Sequence, residues 1–447
     1  MDLILHTFRF WLYNFYFLCI LLLVSMAAET SAQTRDIYLQ IRAGSASGRI
    51  GVGIEGFTSP DPSSPVNIVR DTLIGDLNGS GLFQTRALPD SIASLNKSSF
   101  LKWTESGAAY YLSGALSGTG KSVAVKLYDL KTTLVTLDAE YLIDSKRPWY
   151  TAHVLVDDMI KMFTGLRGSC ASQIAYISES KGGKEIFIID ADGRNIHQLT
   201  FSRTINLSPA WSPEGQRIAY SSLNGTNWGL NVININTGQS LNISRWGGLN
   251  TSPAWCPTNP DLIAFSSNRD GNTEIYTCRA NGTAVKRLTN YQAIDISPAW
   301  SPDAAQIAFQ SDRTGSPLVY VMNSDGSNIH RLTSTPNSYE DSPNWSPRGD
   351  RILFVVQNGS AFDIASSSPT GEDLVMLTMG EGSNENPKWS PDGLRIVFWS
   401  TRLGGKSLFI MNWDGSGVRP LTSDGNSFSP SWAPAVSGDD IRVSGKR

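Results

Sequence analysis

Cysteine and histidine are scarce in this sequence of 447 residues, which contains four of each. Cys19 lies in an apolar segment near the N-terminus, which leaves Cys170, Cys256 and Cys278 for the rest of the chain. Three cysteines cannot all pair, and no Cys-x-x-Cys motif is present. A disulfide framework, a zinc site and a thioredoxin-like motif are therefore disfavoured. We predict neither a metal site nor a cofactor.

An excess of positive charge is also absent. The 37 lysines and arginines are balanced by 40 aspartates and glutamates, which gives a formal net charge of −3 at pH 7. Proteins that bind the phosphate backbone of nucleic acids normally carry a basic patch or domain. The sequence shows no such patch, and we predict no nucleic-acid partner.

Long apolar runs are limited to one segment, from Phe10 to Val24. This run is shorter than the roughly 20 residues that a membrane span requires, but it suits the core of a signal peptide. Small residues follow it and offer cleavage after Ala32 or Ala27, although the weakly basic start leaves an uncleaved anchor open. We predict export by a cleavable signal peptide at 1–32.

A repeat dominates the C-terminal half. The hexapeptide Ser208-Pro-Ala-Trp-Ser-Pro213 recurs in related form five more times, and its tryptophans follow one another at intervals of 43 to 45 residues. Each copy continues with short β-type runs, a tight turn, and a run that usually ends in Leu-Thr. Four short strands per period form a sheet that needs neighbours on both faces, which is typical of a β-propeller blade. The six tryptophans are Trp211, Trp255, Trp300, Trp345, Trp389 and Trp432.

The phase of the repeat predicts how the ring closes. Gln173 to Tyr176 matches the second strand of a blade but has no Pro-x-Trp strand before it, whereas Pro430 to Trp432 has no second strand after it. Joining these two pieces completes a blade and leaves no exposed sheet edge. We predict an all-β six-bladed β-propeller over 166–434, closed by C-terminal strand overlap.

The region before the propeller lacks the repeat. The spacing of its apolar residues predicts an α/β N-terminal domain at 33–165. The polar residues 435–447 are predicted to form a disordered tail. Within the α/β domain we predict helices at 66–79 and 149–163, and strands at 110–116, 123–130 and 134–142.

Three segments resemble ligand-binding loops. Residues 115–122 fit a loose form of the nucleotide-binding loop, but residues 123–128 alternate like a strand, whereas that loop requires a helix after its lysine. Residues 190–193 and 323–326 resemble half of a calcium loop, but the further oxygen ligands are missing and other repeats also place turns there. We interpret all three segments as turns.

No catalytic constellation is evident. His197 and His330 occupy the same position of different repeats, and His153 lies on a predicted helix of the other domain. This separation disfavours a Ser-His-Asp triad and a His-rich metal site. The acidic pair Glu340 and Asp341 suits general acid–base chemistry by residue type, but a solvated propeller rim is the simpler interpretation. We predict no catalytic residues and no enzymatic activity.

The order of signal peptide, α/β domain and six Pro-x-Trp blades resembles the TolB family of the Tol–Pal system. Residues 35–41, followed by Ser-Gly-Arg-Ile-Gly-Val-Gly-Ile-Glu-Gly-Phe at 47–57, and Asp-Leu-Asn-Gly-Ser-Gly-Leu-Phe at 76–83, are also similar to that family. The similarity covers residues 35–434. It implies a periplasmic, non-enzymatic, monomeric adaptor that supports outer-membrane integrity and constriction during cell division.

The resemblance also implies two partners. In the family the propeller mouth binds Pal, the peptidoglycan-associated lipoprotein, which makes the adaptor peripheral to the outer membrane. The loops entering each Pro-x-Trp strand are polar and varied on a regular scaffold, as expected of a binding face. The residues predicted to bind Pal are Asn206, Leu207, Ser208, Leu249, Asn250, Thr251, Ser252, Asp295, Ile296, Ser297, Glu340, Asp341, Ser342, Asn384, Glu385 and Asn386.

The second partner is TolA, which the family binds through its mature N-terminus by strand addition. The matching residues here are Arg35, Asp36, Ile37, Tyr38 and Leu39, although this stretch differs from the familiar proteobacterial pattern.

Two alternatives to the adaptor stay open. One is a secreted propeller hydrolase or lyase with its site in the channel, and the other is a free-standing propeller that binds peptides or glycans.

Overall fold

A computed structural model describes most of the chain as an α/β domain followed by a β-propeller. The predicted signal peptide at 1–32 and the predicted TolA segment at 35–39 lie outside the described residues. None of the helices in the described part has both the length and the apolar character that a membrane crossing needs. The structure describes residues 48–88, 97–180, 182–244, 246–333 and 339–446.

The N-terminal domain is a mixed sheet with helices packed against it. In chain order its elements are β1 (Ile50–Gly56), α1 (Pro65–Gly79), β2 (Phe83–Arg86), α2 (Lys97–Glu105), β3 (Tyr110–Leu116), β4 (Ser122–Asp129), β5 (Val135–Leu142) and α3 (Pro148–Thr164). β1 pairs in parallel with β2 and β3, whereas β3, β4 and β5 form an antiparallel meander. The two predicted helices and three predicted strands are confirmed. Residues 117–121 connect β3 to β4, so the segment that resembles a nucleotide-binding loop is a hairpin.

The core of this domain lies between the sheet and the helices α1 and α3. α1 begins at Pro65, whose fixed φ suits the first helical turn, and it buries one aliphatic face. α3 is buried over most of its surface and ends at Gly165, which adopts a left-handed φ of 77°. A helix buried over most of its surface needs a second layer, and the propeller provides it. The buried residues of α1 are Val66, Val69, Leu73 and Leu77.

Five blades are continuous in sequence, and each is a four-stranded antiparallel sheet. Blade II contains β9 (Asn206–Trp211), β10 (Arg217–Asn224), β11 (Asn227–Asn234) and β12 (Ser240–Asn242). Blade III contains β13 (Asn250–Trp255), β14 (Leu262–Ser267), β15 (Glu274–Arg279) and β16 (Lys286–Arg287). Blade IV contains β17 (Asp295–Trp300), β18 (Gln306–Ser311), β19 (Leu318–Asn323) and β20 (His330–Arg331).

The last two continuous blades follow the same pattern. Blade V contains β21 (Glu340–Trp345), β22 (Ile352–Asn358), β23 (Ala361–Ser367) and β24 (Val375–Met376). Blade VI contains β25 (Asn384–Trp389), β26 (Arg395–Ser400), β27 (Ser407–Asn412) and β28 (Arg419–Pro420). Because each sheet is covered on both faces by its neighbours, the second strands carry fully buried aromatic side chains. Those of blades III to VI are Phe265, Phe309, Phe354 and Phe398.

Blade I is assembled from both ends of the propeller segment. Its outer strands are β6 (Gln173–Ser180), β7 (Gly183–Asp190) and β8 (His197–Gln198), and its inner strand is β29 (Ser427–Trp432). β29 pairs antiparallel with β6 and places Trp432 opposite Ile174. Backbone hydrogen bonds between the first and last strands of the propeller therefore join its two ends.

The prediction of a disordered tail at 435–447 is wrong. Residues Arg442–Lys446 form a further strand, β30, which pairs antiparallel with β5 at the edge of the N-terminal sheet. Ile441 is buried beside it, and Arg442 forms an ion pair with Asp158 of α3. β5 would otherwise present unpaired backbone groups along its edge. The tail satisfies these groups and links the end of the propeller back to the N-terminal domain.

Candidate functional site

The propeller has two faces, and the N-terminal domain packs against one of them. His153 Nε2 of α3 lies 3.1 Å from Asp192 Oδ2, in the turn after β7. The Ser169 hydroxyl donates a 2.7 Å hydrogen bond to Asp392, in the turn after β25. Leu394, from the same turn, joins the core of the N-terminal domain. The inner strands begin at the opposite face, which we call the open face.

The structure places the predicted Pal-binding residues mostly within the inner strands. The first residue of each strand is no more than 1% exposed, and in blade II it is already paired, since Asn206 lies opposite Ser222. The expectation that loops run through these positions was wrong, because the strand ladder extends almost to the open face. The five buried strand-starting residues are Asn206, Asn250, Asp295, Glu340 and Asn384.

A buried polar network explains why these positions are polar. Between blades I and II, the Glu185 carboxylate accepts hydrogen bonds from the Thr200 hydroxyl at 2.5 Å and from Asn206 Nδ2 at 2.9 Å. Between blades V and VI, Asp363 accepts a 3.1 Å hydrogen bond from Asn384 Nδ2. Thr200 belongs to the Leu-Thr repeat noted in the sequence. These bonds tie one blade to the next, so this part of the pattern reflects folding.

A β-bulge follows in every inner strand. The residue before the proline adopts a left-handed φ of 49° to 57°, and the pairing with the second strand shifts register there. Such a bulge leaves a residue unpaired and re-aims the neighbouring side chains. It directs the Pro-x segment towards the channel. The bulge residues are Ser208, Ser252, Ser297, Ser342, Asn386 and Ser429.

The open face carries an apolar surface that the repeat pattern of the sequence does not indicate. It is formed by the loops that enter the inner strands and by the loops between second and third strands, which adjoin one another. For example, the backbone N–H of Ile294 donates a 2.7 Å hydrogen bond to Asp312 Oδ1. Six large apolar side chains of these loops are 44% to 76% exposed. These residues, the apolar rim, are Phe201, Leu249, Tyr291, Ile294, Met379 and Leu403.

Leu249 is the only rim residue among those predicted. The other rim residues could have been recognised in the sequence as large apolar residues within the turns between strands. A residue in such a turn cannot be buried within a sheet, so its apolar side chain is expected to be exposed. Large exposed apolar side chains grouped on one face of a soluble domain indicate a surface that binds something. Of the remaining predicted residues, Ser208, Ser252, Ser297, Ser342 and Asn386 line the central channel. The others are half-buried in the same inner strands; they are Leu207, Thr251, Ile296, Asp341 and Glu385.

The six Pro-x-Trp motifs line a central cavity of about 460 Å³. Its wall is mainly proline, serine, alanine and tryptophan, and Lys388 is the one charged residue among the described lining residues. Burial lowers the pKa of Lys388 to about 8, although Asp341 acts in the opposite direction. Burial also raises the pKa of Glu385, to about 7, against the effect of Lys406. Two ionisable side chains with shifted pKa values, Glu385 and Lys388, therefore lie on the inner strand of blade VI.

In the part of the chain that the structure describes, the histidines do not come together in a triad or a metal site. Within the described ranges, no cluster of three or more His, Cys, Asp and Glu side chains is placed to hold a metal ion. His197 and His330 are exposed on β8 and β20, while His153 is buried between the domains. Three buried cysteines are free thiols, and burial raises the pKa of Cys278 to about 12. The geometry defines a two-domain protein in which an α/β domain packs on one face of a six-bladed β-propeller.

Known proteins share this architecture. Residues 160–436 match the family model of the TolB beta propeller domain. A protein TolB homolog of Chlorobium chlorochromatii is 34% identical over 281 residues, which are 60% of this chain and 62% of that protein. The Tol-Pal system protein TolB of Desulfosudis oleivorans is 33% identical over 192 residues, 42% of this chain and 43% of that protein. The crystal structure of TolB from Acinetobacter baumannii is 27% identical with a TM-score of 0.75, and the match covers 87% of this chain and 97% of that one.

The chain belongs to the TolB family. The resemblance noted in the sequence and the predicted combination of an α/β domain with a six-bladed propeller are thereby confirmed. The sequence matches to the two relatives span less than two thirds of the length of either relative.

Proposed function

We propose that the protein is a non-enzymatic periplasmic adaptor of the Tol–Pal system that binds the lipoprotein Pal through the open face of its propeller. The apolar rim carries this proposal, because it groups six large exposed side chains on the face that the N-terminal domain leaves free. The name of the Desulfosudis relative supports the system. As a monomer held at the outer membrane through Pal, the adaptor would support membrane integrity and constriction during division.

Tyr291 illustrates how the rim is prepared for binding. Its backbone N–H donates a 2.8 Å hydrogen bond to the buried Glu274 carboxylate, and its ring lies 5.2 Å from the Arg313 guanidinium. Arg313 is itself held by Asp295, one of the predicted residues, at 2.9 Å. An aromatic side chain that is fixed before binding loses little entropy on association. The buried network thus positions Tyr291 on the rim.

Polar substitution of the rim should weaken Pal binding. We expect the triple variant Phe201→Ser, Tyr291→Ser and Met379→Ser to bind the periplasmic domain of Pal from the same organism at least tenfold more weakly, because truncation of central apolar anchors typically costs 2 kcal/mol or more, about 30-fold. Isothermal titration calorimetry with the chain from residue 33 onwards measures the dissociation constant.

The matched control is Leu134→Ser, since Leu134 is 65% exposed but lies on the N-terminal domain. It should bind Pal as the unmodified chain does. Equal affinities of the control and the triple variant would show that the rim is not the Pal surface. Failure of the unmodified chain to bind Pal would remove the Tol–Pal assignment.

We also propose that TolA binds the N-terminal segment that contains Arg35, Asp36, Ile37, Tyr38 and Leu39. Deletion of residues 33–39 should abolish binding to the C-terminal domain of TolA in a pull-down from purified components, because strand addition depends on the backbone of the deleted segment. Pal binding to the same variant should persist, since the rim is intact. Retained TolA binding would place that partner elsewhere on the chain.

A further inference from the structure

The x residues of the six Pro-x-Trp motifs form a ring around the channel, and the ring has two unlike halves. Blades II, III and IV supply small apolar side chains there. Blades V, VI and I supply Asn344, Lys388 and Ser431 at the same level. Because the three polar residues come from adjacent blades, they form one continuous polar arc facing an apolar arc. The apolar arc consists of Ala210, Ala254 and Ala299.

The polar arc presents hydrogen-bond donors to the channel. Asn344 Oδ1 accepts a 2.9 Å hydrogen bond from the backbone N–H of Trp389, and Ser431 Oγ accepts a 3.4 Å hydrogen bond from the backbone N–H of Trp211. The neighbouring blade therefore donates one hydrogen bond to the side-chain oxygen of each residue, which keeps a second lone pair. The amide protons of Asn344 and the hydroxyl proton of Ser431 are left for a ligand. Lys388 between them has donors and no acceptor.

The charge of the arc favours an anion with a single negative charge. With a pKa of about 8, Lys388 is mostly protonated at neutral pH, and in the described part of the chain its ammonium group makes no hydrogen bond or ion pair at contact distance. Asp341 stands close enough to interact with Lys388 electrostatically, and Glu385 interacts with Asp341 in turn. One cation balanced in part by nearby carboxylates suits a carboxylate better than a dianionic phosphate.

We propose that the propeller channel binds a monocarboxylate with a short apolar body, held at its charged end by Asn344, Lys388 and Ser431. The three alanines opposite leave room for the apolar body. The cavity of about 460 Å³ is in the range of small-ligand sites, roughly 300–1,000 Å³. The carboxylate can belong to a free organic acid or to an acidic side chain that enters from the open face. The site is separate from the apolar rim and does not depend on Pal.

Two probes distinguish the sources of the carboxylate. Hexanoate represents the free acid, and the capped peptide acetyl-Ala-Glu-Leu-Ala-amide represents an inserted side chain. Each is titrated by calorimetry into the chain from residue 33 onwards, with hexylammonium as the charge-reversed comparison. In parallel, the lysine Cε signals of ¹³C-labelled protein report the pKa of Lys388, which is assigned by its loss in Lys388→Met.

We expect at least one carboxylate probe to bind, Lys388→Met to bind it at least tenfold more weakly, and the pKa of Lys388 to rise on saturation, because a bound anion favours the charged amine. Lys286→Met, on the outermost strand of blade III, is the matched control and should leave binding unchanged. Binding of hexanoate alone assigns a small-acid site, and binding of the peptide alone assigns a side-chain site.

Three results would overturn the proposal. These are binding of neither probe at millimolar concentration, equal binding of hexylammonium, and a Lys388 pKa that saturating carboxylate does not move. A merely structural role of Lys388 would change the stability of Lys388→Met but would not produce the pKa shift on titration.

Discussion

Replacing His153 with alanine should lower the free energy of unfolding by about 3 to 5 kcal/mol, the range for breaking a buried ion pair by removing one partner. His153 is 2% exposed and lies between two carboxylates, with Nδ1 at 2.5 Å from Asp76 Oδ2 and Nε2 at 3.1 Å from Asp192 Oδ2. The variant leaves these two like charges facing each other at the boundary between the domains. Urea denaturation followed by tryptophan fluorescence measures the effect.

The pH dependence of the same variant identifies the cause. Burial alone lowers the pKa of His153, but Asp76 and Asp192 outweigh burial and raise it to about 10. The unfolded chain has a histidine pKa of about 6.5. The folded state therefore binds the proton more tightly, and the stabilisation is complete below about pH 6.5 and is lost as the pH rises through about 10. The stability difference between the two proteins should shrink from pH 7 to pH 10.

His197→Ala serves as the matched control, since His197 is exposed on an outermost strand. Substitutions of this kind normally change stability by no more than about 0.5 kcal/mol. If His153→Ala were as stable as His197→Ala at pH 7, the two carboxylates would not depend on His153 for compensation.

Replacing Glu274 with alanine should lower the free energy of unfolding by about 3 kcal/mol, since hydrogen bonds to a charged group contribute about 1.5 to 3 kcal/mol each and partial rehydration recovers some of the loss. Glu274 is fully buried and accepts hydrogen bonds from Thr289 Oγ1 at 2.6 Å, Arg287 Nη2 at 2.8 Å and the Tyr291 backbone N–H at 2.8 Å. The variant leaves these donors without their acceptor at the junction of blades III and IV.

Glu372→Ala provides the comparison for Glu274→Ala, because Glu372 is exposed in a blade turn. It should unfold at the same urea concentration as the unmodified chain. Since Glu274 also fixes the backbone of Tyr291, Glu274→Ala should weaken Pal binding as well. Coincident urea midpoints for the two variants would refute the structural role assigned to the network.

The network also determines which substitutions can test partner binding. Glu340 and Asn384 were predicted to contact Pal, but both are buried at the start of inner strands. Alanine at these positions changes the packing of the blades, and a loss of Pal binding would not locate the interface. Rim residues such as Met379, which is 76% exposed, do not carry this difficulty.

The repeat and the apolar periodicity were sufficient to predict the propeller and two helices of the N-terminal domain. The six tryptophans recur in phase with the strands, and α1 shows aliphatic residues three and four positions apart. Both signals are local, since a strand or helix must repeat its apolar pattern with its own period to be buried on one side. That is why the bounds of α1 and α3 agree with the prediction to within a residue at each end.

Which polar residues are buried, exposed or paired depends on contacts between elements that are distant in the sequence. A triplet such as Asn206, Leu207 and Ser208 has the same composition whether it forms a loop or the end of a strand. Here it begins a strand, and the hydrogen bond from Asn206 to Glu185 of the neighbouring blade holds it there. His153 meets Asp76 and Asp192 across 77 and 39 residues. The tail becomes a strand because β5 has a free edge. These pairings arise when separate elements dock, and no local periodicity encodes them.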